Sequence, residues 1–495
     1  MQRTTTTDLV VVGAGTAGLP AAIEAAAHGL RVTVVEKGDR PGGTLWRSWA
    51  QLSAGGTALQ RAKGIRDSPD LHFDDVMRIS RNTADPELVR LAVDHAPATI
   101  EWLMASGFDM DPDAPAVLHF HEPYLLPRTY WGRDAGRSVL EVLLPAFEKA
   151  CAGSVTLALG TELVAFRTAE RAVETGKPGE PGEPGEVRVA GVTVRDPDGT
   201  FREIDATNVI LTSGGYAGNP ELFPRLTSGA PLAGPASPGA EGSGILAAVD
   251  AGGRVRGQDR FLPTYGGVLR SGSTWETVGL DDYPALTPQA RAPWEIHVNT
   301  RGERFVAEDA PSVDDRENAL LAQPELKFWV VYDAAIRRSA PALFPTWDET
   351  ELDRAFDGHP SFVTALDLTT LARAAGMDPG VLADTVAAYN TAVASGDDPF
   401  GRAHLPAPIA EPPYYAVLNH GTTLKSPAGL AVDSRLRVIG PDGPFANLWA
   451  AGEVIGGSTL SGKSFVSGMS VTPALGFGRM LGRRAAGATT DPGSM

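Results

Sequence analysis

The spacing Gly13-x-Gly15-x-x-Gly18 can bind a pyrophosphate, and each glycine has its own task. Gly13 permits a tight turn, Gly15 lets the backbone approach phosphate oxygens, and Gly18, beside Ala17, lets a helix pack closely on a strand. A helix that begins here aims its free N–H groups and positive dipole end at the anion. Glu36 follows roughly 20 residues on, where a carboxylate accepts hydrogen bonds from ribose hydroxyls and disfavours a 2′-phosphate. A second group of reactive side chains lies between His119 and Arg133, with Tyr124, Arg128 and Tyr130 among them. Tyr265, Arg316 and Lys425 stand apart from it. A tyrosine hydroxyl can move a proton or hold a carbonyl oxygen, an arginine can grip a carboxylate at two points, and a lysine can hold a carboxylate or an enolate.

These residues need elements to position them. Asp8–Val12 is a short apolar run that reads as a buried parallel strand. Leu19–His28 is Ala-rich with helical spacing and ends at Gly29, and Arg31–Val35 is the next strand, with Glu36 at its end. This is a complete βαβ opening. Val209–Ser213 is a further apolar strand. Residues 174–186 (ETGKPGEPGEPGE) read as a solvated hairpin tip between Val164 and Val187. From Gly252 to Pro412 the βαβ rhythm is lost, with small helices expected over 366–396. Strands return at Leu430–Val432 and Leu448–Ala451. A closing helix is predicted from Pro473 to Ala486 with Thr472 as its N-cap, and the last nine or so residues are expected to fray. The expected architecture is therefore α/β: a Rossmann-type nucleotide-binding domain of residues 1–251 and 413–495, with an α+β substrate-capping domain, 252–412, inserted in it.

A chain of 495 residues exceeds what one hydrophobic core usually supports, which agrees with two domains. The net charge of −17 argues against nucleic acid or an anionic membrane surface as partner, since both need clustered Lys and Arg. The single cysteine, Cys151, excludes an intramolecular disulfide or a Cys-rich metal site, and no metal is expected. The polar start MQRTTTTDLV lacks the features of a signal peptide, and no apolar run reaches the roughly 18 residues of a membrane span. The expected location is the cytoplasm.

Further motifs follow in order: Lys37–Thr44 (KGDRPGGT, with Gly43), Ser53-Ala-Gly55-Gly56, Val209–Gly215 (VILTSGG, with Gly214), Ile296–Glu308 (IHVNTRGERFVAE), Asn447–Gly457 (NLWAAGEVIGG, with Gly452 and Glu453) and Gly476–Gly482 (GFGRMLG). Together they resemble the fumarate reductase and succinate dehydrogenase flavoprotein superfamily, which also holds the 3-ketosteroid dehydrogenases. The resemblance covers nearly the whole chain. It implies FAD as cofactor, held by these segments, with Glu453 at the ribityl or adjacent hydroxyls and Ser470 and Val471, at the N-terminus of the last helix, on the O2 side of the flavin. Members with covalent flavin carry a His where this chain has Trp49, which implies non-covalent FAD.

The same resemblance shows where the chain departs. The Arg and His with which fumarate reductases clamp two carboxylates fall at Phe465 and Lys425, a second substrate His falls at Leu262, and the proton-relay Glu falls at Pro288, although its Arg partner matches Arg291. The proton-donating Arg falls at Arg316, after a loop about four residues longer. The steroid branch instead binds a ketone oxygen through a Tyr and a backbone N–H, and a second Tyr takes the α-proton while FAD accepts hydride. Phe465 departs from that pattern too, but Gly468 and Met469 can offer an N–H, and Tyr265, Tyr124 and Tyr130 offer hydroxyls. The expectation is α,β-dehydrogenation of a ketone, cyclic or steroid-like, with Tyr265, Tyr130, Tyr124, Lys425 and Arg316 as catalytic candidates and Arg128, Phe465, Gly468 and Met469 lining the substrate. The electron acceptor is oxygen, a quinone or a carrier. An ene-reductase of an unsaturated acid and a non-catalytic flavoprotein subunit stay open as alternatives.

Overall fold

A computed structural model describes residues 4–168, 187–232, 234, 237, 239–268, 291–345 and 347–488. The tip expected at 174–186, Pro288 and the end expected to fray from about 487, apart from its first residues, lie outside them.

The opening unit forms as its sequence requires. Strand β1 (Thr4–Val12) leads through the glycine turn into helix α1 (Gly18–Ala27) and strand β2 (Val32–Val35), which pairs parallel to β1. A Cβ on Gly18 would lie 1.8 Å from the Gly13 carbonyl oxygen, so only glycine lets α1 sit this close to the turn. Strand Phe201–Leu211 pairs with β1 on its other side, and strand Gly443–Ala450 follows beyond it, both parallel. The full sheet has eight strands, with a hairpin of Glu162–Thr168 and Val189–Arg195 attached through Phe201–Leu211. The helix Val471–Ala485 lies against α1. It begins two residues before the Pro473 start expected from sequence. Its N-cap is Ser470 rather than Thr472, and the Thr472 hydroxyl instead accepts a 2.8 Å hydrogen bond from Ser53 N.

The inserted domain is built on an antiparallel four-stranded sheet in the order Ile296–Asn299, Lys327–Asp333, Tyr414–His420 and Phe362–Ala365. Helices Leu368–Ala374 and Pro379–Ser395 fill the stretch where small helices are expected. Strand Tyr414–His420 is the centre of this sheet, so the return to the nucleotide-binding domain comes after it and not at 413. The two sheets have separate hydrophobic cores. Short pairings, Val255–Arg256 with Gly429–Leu430 and Thr264 with Thr422, join the chain on either side of the inserted sheet, with Tyr265 and Lys425 close to the second. Among the described residues no helix is long and apolar enough to cross a membrane.

Buried ion pairs stiffen the capping domain. Glu308 receives Arg304 at 2.7 Å and Arg402 at 3.2 Å, and Arg304 also meets Asp398. All four side chains are buried. Glu308→Ala would leave the buried Arg402 guanidinium without its carboxylate and Arg304 with Asp398 alone, a loss of about 3–5 kcal/mol. Its expected signature is a lower denaturant midpoint for the capping domain. Gly18→Ala forces backbone against backbone at a cost of about 1–3 kcal/mol. Because the displaced part is the turn of the nucleotide fingerprint, the purified Gly18→Ala protein is expected to lose flavin absorbance while remaining folded by circular dichroism.

Candidate active site

A single cavity of about 870 Å³ runs from Glu36 and Lys37 at one end to Tyr265, Lys425 and Phe465 at the other. Its first half is the nucleotide fingerprint. Gly13, Gly15 and Ala17 line it, and the Gly15 and Gly43 backbones approach so closely that a Cβ on Gly43 would meet Gly15 Cα at 3.1 Å. Glu36 accepts hydrogen bonds from Ala14 N and Gly38 N, each 2.7 Å, so its carboxylate ties the glycine turn to the end of β2 and also faces the cavity. Lys37 is held between Glu162, at 2.9 Å, and Glu241.

The middle of the cavity is lined by Thr44, Gly214, Gly452, Glu453, Ser470 and Val471. Gly214, at φ +79°, has open space where a Cβ would point, and the neighbouring Ser213 hydroxyl is buried on the cavity wall without a partner. Glu453 receives Ser426 N at 2.7 Å. A cradle of glycine backbone, an unpartnered hydroxyl and the N-terminus of a 15-residue helix fit the phosphates and hydroxyls of FAD. Gly18, Ser53, Gly55 and Gly56 do not line it. Gly18 acts through helix packing. Ser53, Gly55 and Gly56 shape the adjoining turn, where a Cβ on Gly55 would meet Ser68 O at 2.6 Å and Gly56 has φ +88°.

The far end departs from several sequence expectations. Arg128 is fully buried and bound by Asp67, at 2.8 Å, and Asp75, which leaves its guanidinium committed and outside the cavity lining. Tyr130 is likewise buried, with its hydroxyl 2.8 Å from Thr57 Oγ1. Tyr124 donates to Ser467 O at 2.7 Å and so supports the 467–469 turn from behind. Neither tyrosine reaches the cavity, and burial pushes both phenols up. Arg316 is buried, with Nη1 donating to Ala310 O at 2.6 Å, while Nε and Nη2 have no partner among the described residues; it does not line the cavity either. Tyr265 does line it, but its hydroxyl lies 2.9 Å from His297 Nδ1 and its ring stacks on Phe328 at 4.9 Å. Burial raises the Tyr265 phenol well above its ordinary value and lowers His297 to about 3, so this pair stays neutral.

Lys425, Phe465, Gly468 and Met469 are brought together at the cavity wall. The Lys425 ammonium is buried without a hydrogen-bond partner among the described residues and lies 4.6 Å above the Phe465 ring. Burial lowers its pKa to about 8, against the opposing pull of Glu453, Glu317 and Asp314. Two side chains missed from the sequence complete this end. His121 stacks on the other partner of Lys425, the Phe465 ring, at 3.8 Å, and its Nδ1 lies 3.6 Å from Glu317 Oε1. Burial lowers His121 to about 3 and raises Glu317 to about 8. The density of His, Tyr, Arg and Trp between 119 and 133 was the available signal for His121. Glu317 had only its adjacency to Arg316.

The family model for an FAD binding domain matches residues 8–462. A fumarate reductase (cytochrome) of Shewanella frigidimarina is 30% identical over 495 residues, covering 97% of this chain and 77% of the relative. The urocanate reductase of Eggerthella lenta is 25% identical, covering 98% of this chain and 75% of the relative. Among solved structures, the open conformation of a flavocytochrome c3 fumarate reductase superposes with a TM-score of 0.71 at 26% identity, over 98% of this chain and 78% of the other. The 3-ketosteroid delta1-dehydrogenase of Sterolibacterium denitrificans shares the fold, with a TM-score of 0.71 at 21% identity, over 98% of this chain and 100% of the other. With the cradle built by its own glycines, the chain belongs to the FAD-binding family of the fumarate reductase/succinate dehydrogenase flavoprotein superfamily, and it is an FAD-dependent oxidoreductase.

Proposed function

We propose that this oxidoreductase removes two hydrogens from the CH–CH bond beside a ketone, giving the α,β-unsaturated ketone, and that its substrate is cyclic. The observation that carries this reading is the buried, unpartnered Lys425 ammonium at the cavity wall. A buried charge without a partner is costly, and such groups are kept where a ligand completes them. A ketone oxygen fits, because it offers one acceptor to one cation. A dicarboxylate fits poorly, because Phe465 occupies the position at which the reductases carry a clamping Arg, and a second carboxylate would be desolvated against an apolar ring.

Bound FAD supplies the hydride acceptor. Lys425 holds the carbonyl oxygen and stabilises the negative charge that grows there as the α-proton leaves. Phe465, stacked on neutral His121, gives a flat apolar wall suited to a ring. Tyr265, committed to His297, positions the wall and is not the base expected from sequence, since a buried phenol of raised pKa is a weak acceptor when ionisation is suppressed.

A second reading, reduction of an unsaturated monocarboxylate, draws on the same Lys425 charge and on the likeness to a fumarate reductase and a urocanate reductase. Anaerobic titration with cyclohexanone and with a saturated 3-oxosteroid separates the two. Bleaching of the flavin is the expected result; no bleaching, with dithionite-reduced protein reoxidised by acrylate or urocanate, would replace it with the second reading. A charge-assisted hydrogen bond contributes about 1.5–3 kcal/mol, so Lys425→Met is expected to slow ketone-driven bleaching about 10- to 100-fold. The same substitution should raise the thermal midpoint, because it removes an unpaired buried charge. We also propose that FAD is bound without a covalent link, since Trp49 stands where covalent members carry His. Acid precipitation is then expected to release all flavin into the supernatant.

A further inference from the structure

Desaturation needs a group to take the α-proton, and the tyrosines expected to do so are committed elsewhere. A small chamber of about 20 Å³ opens beside the main cavity. Thr264, Leu424, Lys425 and Phe465 line both spaces, and Glu317 enters only the chamber. A volume of this size holds a single water, provided polar groups face it, and here a carboxyl and an ammonium do.

We propose that Glu317 holds the substrate α-proton, exchanging it through one water in the chamber it shares with Lys425. This rests on the reading of Lys425 as the anchor of a ketone oxygen. Glu317 is buried, and the nearby Tyr265 backbone N–H favours its ionised form. The preceding residue, Arg316, has Nε and Nη2 without partners and supports the negative charge when Glu317 ionises. Asp314, the nearest rival, gives one oxygen to the Ser464 hydroxyl and lines neither space.

The proton balance is direct. The α C–H bond breaks, its proton passes to the chamber water, and that water gives a proton to Glu317. The electron pair left on the α-carbon becomes the new double bond as hydride leaves the β-carbon, and FAD, when bound, would accept that hydride. The proton then leaves Glu317 towards solvent past His121, 3.6 Å away, and Glu122, whose partly exposed carboxylate accepts from Ser312 Oγ at 3.0 Å. A carboxyl poised near the working pH suits this exchange, and burial holds Glu317 at about 8. The charged and titratable groups around it are Arg316, Lys425, His121, Glu122 and Asp314, and those around Lys425 are Glu453, Glu317, Asp314 and His121.

The test uses the full FAD-loaded chain with cyclohexanone and a saturated 3-oxosteroid, following flavin bleaching against pH and, in D2O, deuterium entry at the α-carbon. Wild type is expected to give a bell, rising as Glu317 ionises and falling as Lys425 loses its proton, both near pH 8. Glu317→Gln keeps the shape but cannot ionise. It should slow bleaching roughly 100-fold, abolish α-exchange and remove the rising limb, with FAD affinity unchanged. Bleaching within about twofold of wild type with the rising limb intact would overturn the assignment, taking roughly 100-fold as the scale of a lost proton-transfer group. Should the glutamine chain fail to retain FAD, Glu317→Asp decides. A slower rate with the limb preserved supports the proposal, and a wild-type rate overturns it, because the shorter carboxylate withdraws from the chamber. A wild-type protein that neither bleaches nor exchanges with either ketone overturns the ketone reading itself, a result separate from an indifferent Glu317.

Discussion

The contact between Gly18 and the Gly13 carbonyl sets the geometry on which both halves of the site depend. With no side chain between them, α1 seats directly on the turn that follows β1, and its N-terminus is fixed toward the cavity. Thr212 locks this turn to the neighbouring strand, its hydroxyl reaching both Val12 O, at 2.9 Å, and Gly13 O, at 2.8 Å. The last helix is then referenced to α1 by the same device. A Cβ on Gly478 would meet Ala17 O at 2.2 Å, and one on Gly482 would meet Ala21 O at 2.4 Å. The helix end bearing Ser470 and Val471 is therefore placed by a chain of glycine contacts that begins at the nucleotide turn. The Gly468 turn before it, pressed against the Leu52–Ser53 backbone, belongs to the same chain.

Buried charge serves two purposes in this molecule, and hydrogen-bond saturation separates them. Arg128 between Asp67 and Asp75, and Arg304 and Arg402 on Glu308, are closed networks in which the charges answer one another. Such clusters fix loops to sheets and have nothing left for a ligand. At the junction of the domains the pattern is the reverse. Lys425 has an ammonium without a partner, Arg316 has two unused nitrogens, and Glu317 sits beside them with its pKa raised by burial. The apolar surroundings of Phe465 strengthen whatever polar contact a substrate makes there. A single charge beside an aromatic ring distinguishes this end of the cavity from the closed networks.

Much of this was legible in the chain. The strand–turn–helix–strand opening follows from local rules: an apolar run, glycines where the backbone must turn or touch, an Ala-rich helix, an acid at the end of the second strand. Those rules depend on neighbours in sequence, and each element appears within a few residues of its expected place. The ordered motifs that run to Gly482 pointed to FAD through their resemblance to the fumarate reductase/succinate dehydrogenase superfamily. The closing helix was misplaced by two residues because Thr472 resembles a cap, whereas its hydroxyl is used by Ser53 in a contact between positions far apart in the chain.

The sequence by itself determined that a dinucleotide is held by this fold, since that interaction is made by backbone shape and helix ends that local composition dictates, and the family resemblance made the dinucleotide FAD. Only the tertiary structure decided which reactive side chains face the substrate. Tyr124, Tyr130 and Arg128 have the right chemistry, but their partners, Ser467, Thr57, Asp67 and Asp75, come from other segments and bind them away from the cavity. Lys425, His121, Glu317 and Phe465 lie on separate segments and share no periodicity. They meet because strand Tyr414–His420 joins the capping sheet before the chain returns, carrying Lys425 to the domain junction. Whether a polar group is free or satisfied depends on partners from distant segments, and for these residues only the folded chain brings the partners within reach.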